Sequence, residues 1–185
     1  MKENGYRLYA FNTLISSRLS LHRPLPDTRH EKCLNKRYPR DLPSTSIVVC
    51  FFRENLSTLL RSVHSILDRT PENILKEIIL VDDTDEVEYH LEVKGAVSGL
   101  SDKVILLKTD RREGLIRARI FGAKAATGKV LVFLDSHVEV NKVWLEPLLA
   151  RIQEQRTNVV TPVIDVISPD TFKYVSASLV RGGFN

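Results

Sequence analysis

The apolar residues of this chain fall into short continuous runs, separated by segments in which apolar positions recur at helical spacing. The runs are SIVVCFF at 46–52, EIILV at 77–81, KVILLK at 103–108 and VLVFL at 130–134. Uniformly apolar runs of this length, rich in Val, Ile and Leu, predict strands that are buried on both faces of a sheet. VVTPVIDVI at 159–167 is a fifth apolar segment.

The segments between these runs carry helix signals. The apolar positions of the first are Leu56, Leu59, Leu60, Val63, Ile66 and Leu67, with Asn55 and Ser57 available as caps. A second helix is expected over 113–126, closed by Gly128, and a third over 145–155, with Pro147 in its first turn. Strands that alternate with helices predict an α/β fold, in which a mainly parallel sheet carries helices on both faces.

Charge and proline content set residues 1–43 apart from the rest of the chain. This arm holds nine Lys and Arg against four Asp and Glu, whereas residues 44–185 hold 18 against 19. We therefore expect a basic N-terminal arm, 1–43, that lies extended over the surface of a single domain, 44–185. The net charge of +4 comes from the arm. Because no basic stripe with interleaved aromatic residues accompanies it, nucleic-acid binding is not expected.

Membrane insertion and a disulfide framework are not expected either. The longest apolar run, Ile47–Phe52, has six residues, whereas a membrane-spanning helix needs roughly 20. The first residues lack the apolar core of a signal peptide. Cys33 and Cys50 make neither a disulfide framework nor a zinc site. Cys50 lies in a predicted strand, where a cysteine acts as a small hydrophobic residue.

Asp135 and His137 are the first candidates for chemistry. They follow the run VLVFL and stand two residues apart, so on an extended chain their side chains point the same way. A carboxylate and an imidazole at the end of a buried strand are a candidate pair of ligands for a divalent cation that neutralises an anionic substrate. The alternative is an aspartate that caps the next helix beside a surface histidine.

Asp82 and Asp83 end the second run and form another candidate pair. In parallel sheets ligands bind beyond the carboxyl ends of the strands, so this pair and Asp135 are expected at one edge. A carboxylate at that position can accept hydrogen bonds from a ribose or a base, although turn capping is an equal alternative.

Two further segments accompany these acids. The segment RREGLIRAR at 111–119 places four arginines near a helix start, where a phosphate is favoured, although a solvated basic face is the alternative. Phe51 and Phe52 are interpreted as core residues, and Glu54 is a further candidate for the ligand edge.

These segments together resemble the first half of the catalytic domain of a polypeptide N-acetylgalactosaminyltransferase. The matching segments are FNTLIS, PDTR, SIVVCF, STLLRSVHSILDRTP, EIILVDD, REGLIRAR, VLVFLDSH, WLEPLL, PVIDVI and RGGFN. They run in order from about Phe11 to the last residue. The resemblance implies a glycosyltransferase A-type fold and a Golgi enzyme. It also implies a UDP-GalNAc donor, Mn²⁺, a Ser/Thr hydroxyl acceptor on a protein, and retention at the anomeric carbon.

The resemblance also implies roles for individual residues. Asp135 and His137 match the metal ligands, and Ser136 between them matches a position that contacts the donor. Asp83 matches the acid that holds the uridine, and Arg112 matches a basic residue that contacts the nucleotide. A position that lines the uridine pocket corresponds to Cys50, and Cys33 is expected to be a free thiol.

The chain departs from the family pattern in sequence and in extent. Where the family's first strand runs into Phe-His-Asn-Glu, this chain has Phe51-Phe52-Arg53-Glu54. The family's third metal ligand and its acceptor-side segment lie in the second catalytic half, so no transfer is expected from these 185 residues alone. Three alternatives therefore stay open: part of a working transferase, an inactive regulatory relative, or a product without a stable fold of its own.

Overall fold

A four-stranded parallel sheet forms the centre of the molecule, in a computed structural model that describes residues 2–178. The strands are β1 (Thr45–Phe51), β2 (Leu75–Asp82), β3 (Val104–Lys108) and β4 (Val130–Leu134). Their order in the sheet is β3-β2-β1-β4, and every neighbouring pair is parallel. The predicted mainly parallel α/β fold is thus confirmed.

Seven helices connect and flank these strands in the described part of the chain. They are α1 (Lys2–Tyr9), α2 (Thr13–Arg18), α3 (Glu31–Leu34), α4 (Leu56–Arg69), α5 (Val87–Val97), α6 (Leu115–Ala125) and α7 (Glu146–Glu154). The side chain of Asn55 accepts a hydrogen bond from the Thr58 amide and caps α4, as predicted. The expectation that the arm is extended was wrong in part, since α1, α2 and α3 all lie within it.

Alternate residues of β1 pack into two hydrophobic cores, one on each face of the sheet. Ile47, Val49 and Phe51 point to the face that α4 and α5 cover. Val48 and Cys50 point to the opposite face, where they pack with Ala118 of α6. Helices on both faces explain why the whole of β1 is buried and why its sequence is apolar without alternation.

The edge strands β3 and β4 depart from the prediction that they are buried on both faces, since neither contains a buried residue and Ile105 of β3 is 36% exposed. Leu131 and Phe133 are each 42% exposed. They pair with Ser46 and Val48 of β1, so they share the face of α6. Because β4 is an edge strand and α6 packs mainly over β1 and β2, this part of the sheet is only partly covered.

Glycine at 128 is explained by a close approach to β1. A Cβ atom there would lie 2.6 Å from the Ser46 amide nitrogen, so the segment that leads into β4 requires glycine at this position. The predicted role of Gly128 as the cap of α6 was wrong, because that helix ends at Ala125 with Ala126 as its cap. Buried Glu77 accepts hydrogen bonds from Ser46 and Thr127 and so fixes the segment around Gly128 against β1.

The fifth apolar segment does not join the main sheet. Only Val166–Ile167 forms a strand, β5, which pairs in antiparallel fashion with β6 (Tyr174–Val175). Val159 and Ile164 are 94% and 70% exposed. The segment RGGFN at 181–185 lies outside the described residues.

Candidate active site at the carboxyl ends of the strands

Three connections meet at the carboxyl edge of the sheet. The β1–α4 connection contains Phe52–Asn55, the β3–α6 connection contains Thr109–Gly114, and the 135–139 loop follows β4. In a parallel sheet all strands end at the same edge, so the candidate residues predicted after β1, β2 and β4 are brought to one side of the molecule.

Glu54 links two residues of the Asp135-Ser136-His137 motif. Its Oε2 atom accepts hydrogen bonds from Ser136 Oγ and His137 Nδ1, both at 2.9 Å. The Glu54 side chain is 10% exposed and that of His137 is 58% exposed. A histidine that gives its Nδ1 hydrogen to a carboxylate presents Nε2 for a metal, an arrangement common in metal sites.

The Glu54–His137 contact changes the ionisation of both partners. Burial alone would raise the pKa of Glu54, but hydrogen bonds from His137, the Asn55 amide and Ser136 bring it below its usual value. The hydrogen bond to Glu54 raises the pKa of His137, although burial opposes the change. Without a metal, the pair therefore favours a carboxylate beside an imidazolium.

Asp135 makes a different and more exposed contact. Its side chain is 59% exposed, and its Oδ1 atom lies 3.3 Å from Nη2 of Arg119 on α6. An ion pair this exposed is weak in water. Arg119 therefore neutralises Asp135 without holding it firmly.

Asp83 is buried and accepts three hydrogen bonds. Oδ1 accepts from Thr109 Oγ1 at 3.0 Å and from the Glu113 amide at 2.8 Å. Oδ2 accepts from the Gly114 amide at 2.8 Å. The carboxylate thus fixes the start of α6, about 30 residues further along the chain than the turn that it was weighed to cap. A carboxylate oxygen has two acceptor positions, so Oδ2 retains one for a further donor.

Asp82, by contrast, is fully buried and structural. It accepts a hydrogen bond from the Thr84 amide and contacts His90 Nδ1 of α5 at 2.8 Å.

Arg112 differs from its neighbours in the RREGLIRAR segment. Arg111 and Arg117 both contact Glu113, and Arg119 contacts Asp135. Within residues 2–178 no carboxylate pairs with Arg112. Its guanidinium carbon lies instead 4.0 Å from the centre of the Phe52 ring.

The prediction that Phe51 and Phe52 are both core residues was wrong for Phe52. Phe51 is 4% exposed and belongs to the core, but Phe52 is 36% exposed at the edge of the sheet. Arg53 follows with a φ of 49°, a left-handed conformation that is uncommon for a residue with a side chain. Its guanidinium contacts Glu86 at 2.7 Å.

Cys50 lies at the end of β1 and is 9% exposed. Burial raises the pKa of its thiol to about 11, while Arg119 lowers and Asp83 raises it to a smaller extent. The Cys50 thiol therefore lies near both Asp83 and Arg119, the arginine that contacts Asp135. Cys33 is half-buried and forms no disulfide within the described part of the chain.

A buried ionic cluster at Glu139 was not predicted from the sequence. Glu139 accepts two hydrogen bonds from Arg23, at 2.8 and 2.9 Å, and one from Arg61 at 3.1 Å. Arg61 also donates to the Ser16 carbonyl and hydroxyl oxygens. The cluster joins the arm, α4 and the 135–139 loop, residues too far apart in sequence for any local pattern to reveal.

Two clefts meet at His137. One has a volume of about 370 Å³ and lies between the end of α1 and the β1–α4 connection. It is lined by Tyr6, Arg7, Leu8, Tyr9, Ala10, Phe52, Arg53, Glu54 and His137. The other, of about 160 Å³, is lined by residues of the arm, the 135–139 loop and the β5–β6 ribbon. The arm therefore forms one wall beside the candidate metal ligand.

The donor set at the strand edge fits a divalent cation in part. Asp135 offers oxygen and His137 offers Nε2, ligands that suit Mn²⁺. Within residues 2–178 no group of three or more His, Cys, Asp and Glu side chains is arranged to hold a metal. A cation bound here would complete its shell with atoms of a ligand, with water or with other residues.

Comparison with known proteins agrees with this geometry. Residues 46–184 match the family "Glycosyl transferase family 2". Polypeptide N-acetylgalactosaminyltransferase 11 of Xenopus tropicalis is 56% identical over the whole chain, which covers 31% of that protein. Inactive polypeptide N-acetylgalactosaminyltransferase-like protein 5 of Mus musculus is 46% identical over 98% of the chain and 42% of that protein.

A solved structure shares the fold closely. The crystal structure of GalNAc-T7 with UDP, GalNAc and Mn²⁺ superposes with a TM-score of 0.91 at 36% identity. The match covers 95% of this chain and 33% of that one. The chain thus spans between about a third and two fifths of the proteins it matches here. The glycosyltransferase A-type fold and the resemblance to these transferases are confirmed, and the chain belongs to glycosyl transferase family 2.

Proposed function

We propose that this chain is the nucleotide-sugar-binding part of a polypeptide N-acetylgalactosaminyltransferase. The reaction is transfer of GalNAc from UDP-GalNAc to a Ser or Thr hydroxyl of a protein, with Mn²⁺ and with retention at the anomeric carbon. The observation that carries the proposal is the contact of Glu54 with Ser136 and His137. It presents the motif at the sheet edge where Asp83 also lies.

The nucleoside side of the proposed site consists of Cys50, Asp83 and Arg112. The acceptor position left on Asp83 Oδ2 matches the N–H of a uracil ring. Arg112 has no carboxylate partner among residues 2–178, so its N–H groups are available to the nucleotide. Cys50, a buried neutral thiol, lies near Asp83.

The metal side consists of Asp135 and His137, with Ser136 beside the donor. Mn²⁺ bound there would neutralise the diphosphate as the sugar leaves. The chain's own task is to hold its ligands, which Glu54 does for His137, whereas Asp135 meets only the exposed and exchangeable Arg119. The intact motif and this arrangement favour a working donor site over the inactive alternative.

The test is calorimetric titration of the chain with UDP, with and without Mn²⁺. We expect UDP to bind more tightly with Mn²⁺ and the metal effect to be lost in Asp135→Ala. Arg117→Gln, which removes an exposed charge of the same segment, is the matched control and should bind as the wild type does. UDP binding that ignores both the metal and Asp135 would argue against the assignment.

The acceptor and the place of action belong to the same proposal. The GalNAc-transferase relatives named above support a protein acceptor. We propose the Golgi apparatus as the location, on the same resemblance. Among the described residues, no helix is long and apolar enough to cross a membrane.

A further inference from the structure

Phe52 and Arg112 contact each other at the carboxyl edge of the sheet, and Phe52 has no role in the proposed site. Phe52 comes from the β1–α4 connection and Arg112 from the β3–α6 connection, so the contact joins two loops. The guanidinium carbon lies 4.0 Å from the ring centre, well within the range of a cation–π interaction. Arg53 lies 5.1 Å from the same ring.

The surroundings of Arg112 make this contact its main constraint. The neighbouring arginines 111, 117 and 119 all contact carboxylates, and Arg112 contacts none within residues 2–178. Its backbone is fixed, because Asp83 binds the amides of Glu113 and Gly114 directly after it. The direction of the side chain is therefore set by the aromatic ring.

A guanidinium stacked on a ring keeps its in-plane N–H groups free. A carboxylate partner would occupy those donors, whereas the π face attracts the positive charge without using them. The Arg112 donors have no carboxylate partner within residues 2–178, and the Asp83 carboxylate binds the two amides that directly follow Arg112 in the chain. This arrangement suits the oxygens of a nucleoside diphosphate.

We infer that Phe52 is a positioning residue, which holds the Arg112 guanidinium ready for the oxygens of the uridine diphosphate. The inference rests on the proposed function, because it requires that a nucleotide binds at this edge. Phe52 acts through Arg112 and makes no essential contact of its own with the ligand.

The test is a double-mutant cycle on UDP affinity, measured by calorimetry with Mn²⁺ on the whole chain. Phe52→Leu should weaken binding about two- to fivefold, the size of an exposed cation–π interaction. Arg112→Gln should weaken it roughly tenfold or more, the size of a charged hydrogen bond. The double variant should bind as Arg112→Gln alone does, and Phe52→Tyr should restore wild-type affinity.

Controls separate positioning from loss of fold. Phe121→Leu replaces another partly exposed phenylalanine, away from the strand ends, and should leave UDP affinity unchanged. In the proton NMR spectrum the Arg112 Nε–H should show a ring-current shift that is lost in Phe52→Leu and kept in Phe52→Tyr. Phe52→Met provides a second non-aromatic variant if Phe52→Leu does not fold.

The outcomes distinguish this inference from the proposal on which it rests. If the wild type does not bind UDP, the proposed function fails and the inference fails with it. If the wild type binds and Phe52→Leu has no effect, the inference alone is overturned. Additive losses in the double variant would also overturn it, because Phe52 would then contact the nucleotide directly.

Discussion

Arginines hold the two ends of the 135–139 loop in opposite ways. At one end Glu139 is buried and bound by Arg23 and Arg61, whose side chains are 14% and 1% exposed. At the other end Asp135 is 59% exposed and meets one atom of Arg119. A carboxylate and arginine thus form a fixed anchor at Glu139 and an exchangeable contact at Asp135.

The difference between these ends follows from solvation. Buried charges must keep their partners, because water cannot replace them. Exposed charges exchange a partner for water at little cost. A loop anchored at Glu139 and loosely held at Asp135 can accept a ligand at one end without losing its position at the other.

Glu139→Gln should have the largest effect on stability. It leaves two arginines buried without a negative charge, and breaking a buried pair costs about 3–5 kcal/mol. Urea unfolding followed by circular dichroism measures the change. Glu139→Leu combined with Arg61→Met should be less harmful to stability than Glu139→Leu alone, because it also removes one unpaired charge. A loss below about 1 kcal/mol for Glu139→Gln would show that the cluster is no anchor.

Glu54→Gln should have an intermediate effect that depends on pH. The pKa of His137 is raised on folding, so its share of stability is complete below about pH 6.5 and is lost as the pH rises. The pKa of Glu54 is lowered, so its share is complete above about pH 4.3 and is lost as the pH falls. The loss of stability in the variant should therefore be largest between about pH 4.5 and 6.5.

The measurement is urea unfolding of wild type and variant from pH 4 to 9, with EDTA present to remove metal ions. Because His137 is largely exposed, the pH-dependent part should stay below about 1 kcal/mol. His137→Asn should remove the pH dependence at its alkaline side. A difference that stays constant over the whole range would contradict the role of the pair.

Arg119→Gln should have the smallest effect on stability, within about 0.5 kcal/mol. It should at the same time raise the affinity for Mn²⁺, because it removes a positive charge 3.3 Å from Asp135. Electron paramagnetic resonance of free Mn²⁺ measures the second change, with Arg117→Gln as the control. Weaker Mn²⁺ binding in Arg119→Gln would mean that Arg119 orients Asp135 rather than competing for it.

The strands were easier to predict from the sequence than the burial of their side chains. The runs at 46–52, 77–81, 103–108 and 130–134 predicted all four strands of the main sheet, because buried parallel strands need apolar residues on both sides. The exposure of Leu131 and Phe133 was not predictable, since it depends on where α6 lies. The apolar run at 159–167 has the composition of a buried strand, yet only its last two residues pair.

The candidate site shows the same division. Asp83, Asp135 and His137 were predicted to lie together because they follow apolar strands, whose ends share one edge of a parallel sheet. Phe52 was misassigned because β1 ends at Phe51, so that Phe52 lies beyond the buried strand although the apolar run continues through it. The Glu139 cluster joins residues 78 to 116 positions apart, which a local pattern cannot connect.

The two thiols give the molecule a built-in reporter of movement at the carboxyl edge of the sheet. With a pKa of about 11, Cys50 is protonated and unreactive at neutral pH while β1 stays closed. Half-buried Cys33 sets a reference rate in the same sample. The alkylation rate of Cys50 relative to Cys33 therefore measures how often the end of the central strand opens, and a bound nucleotide should slow it.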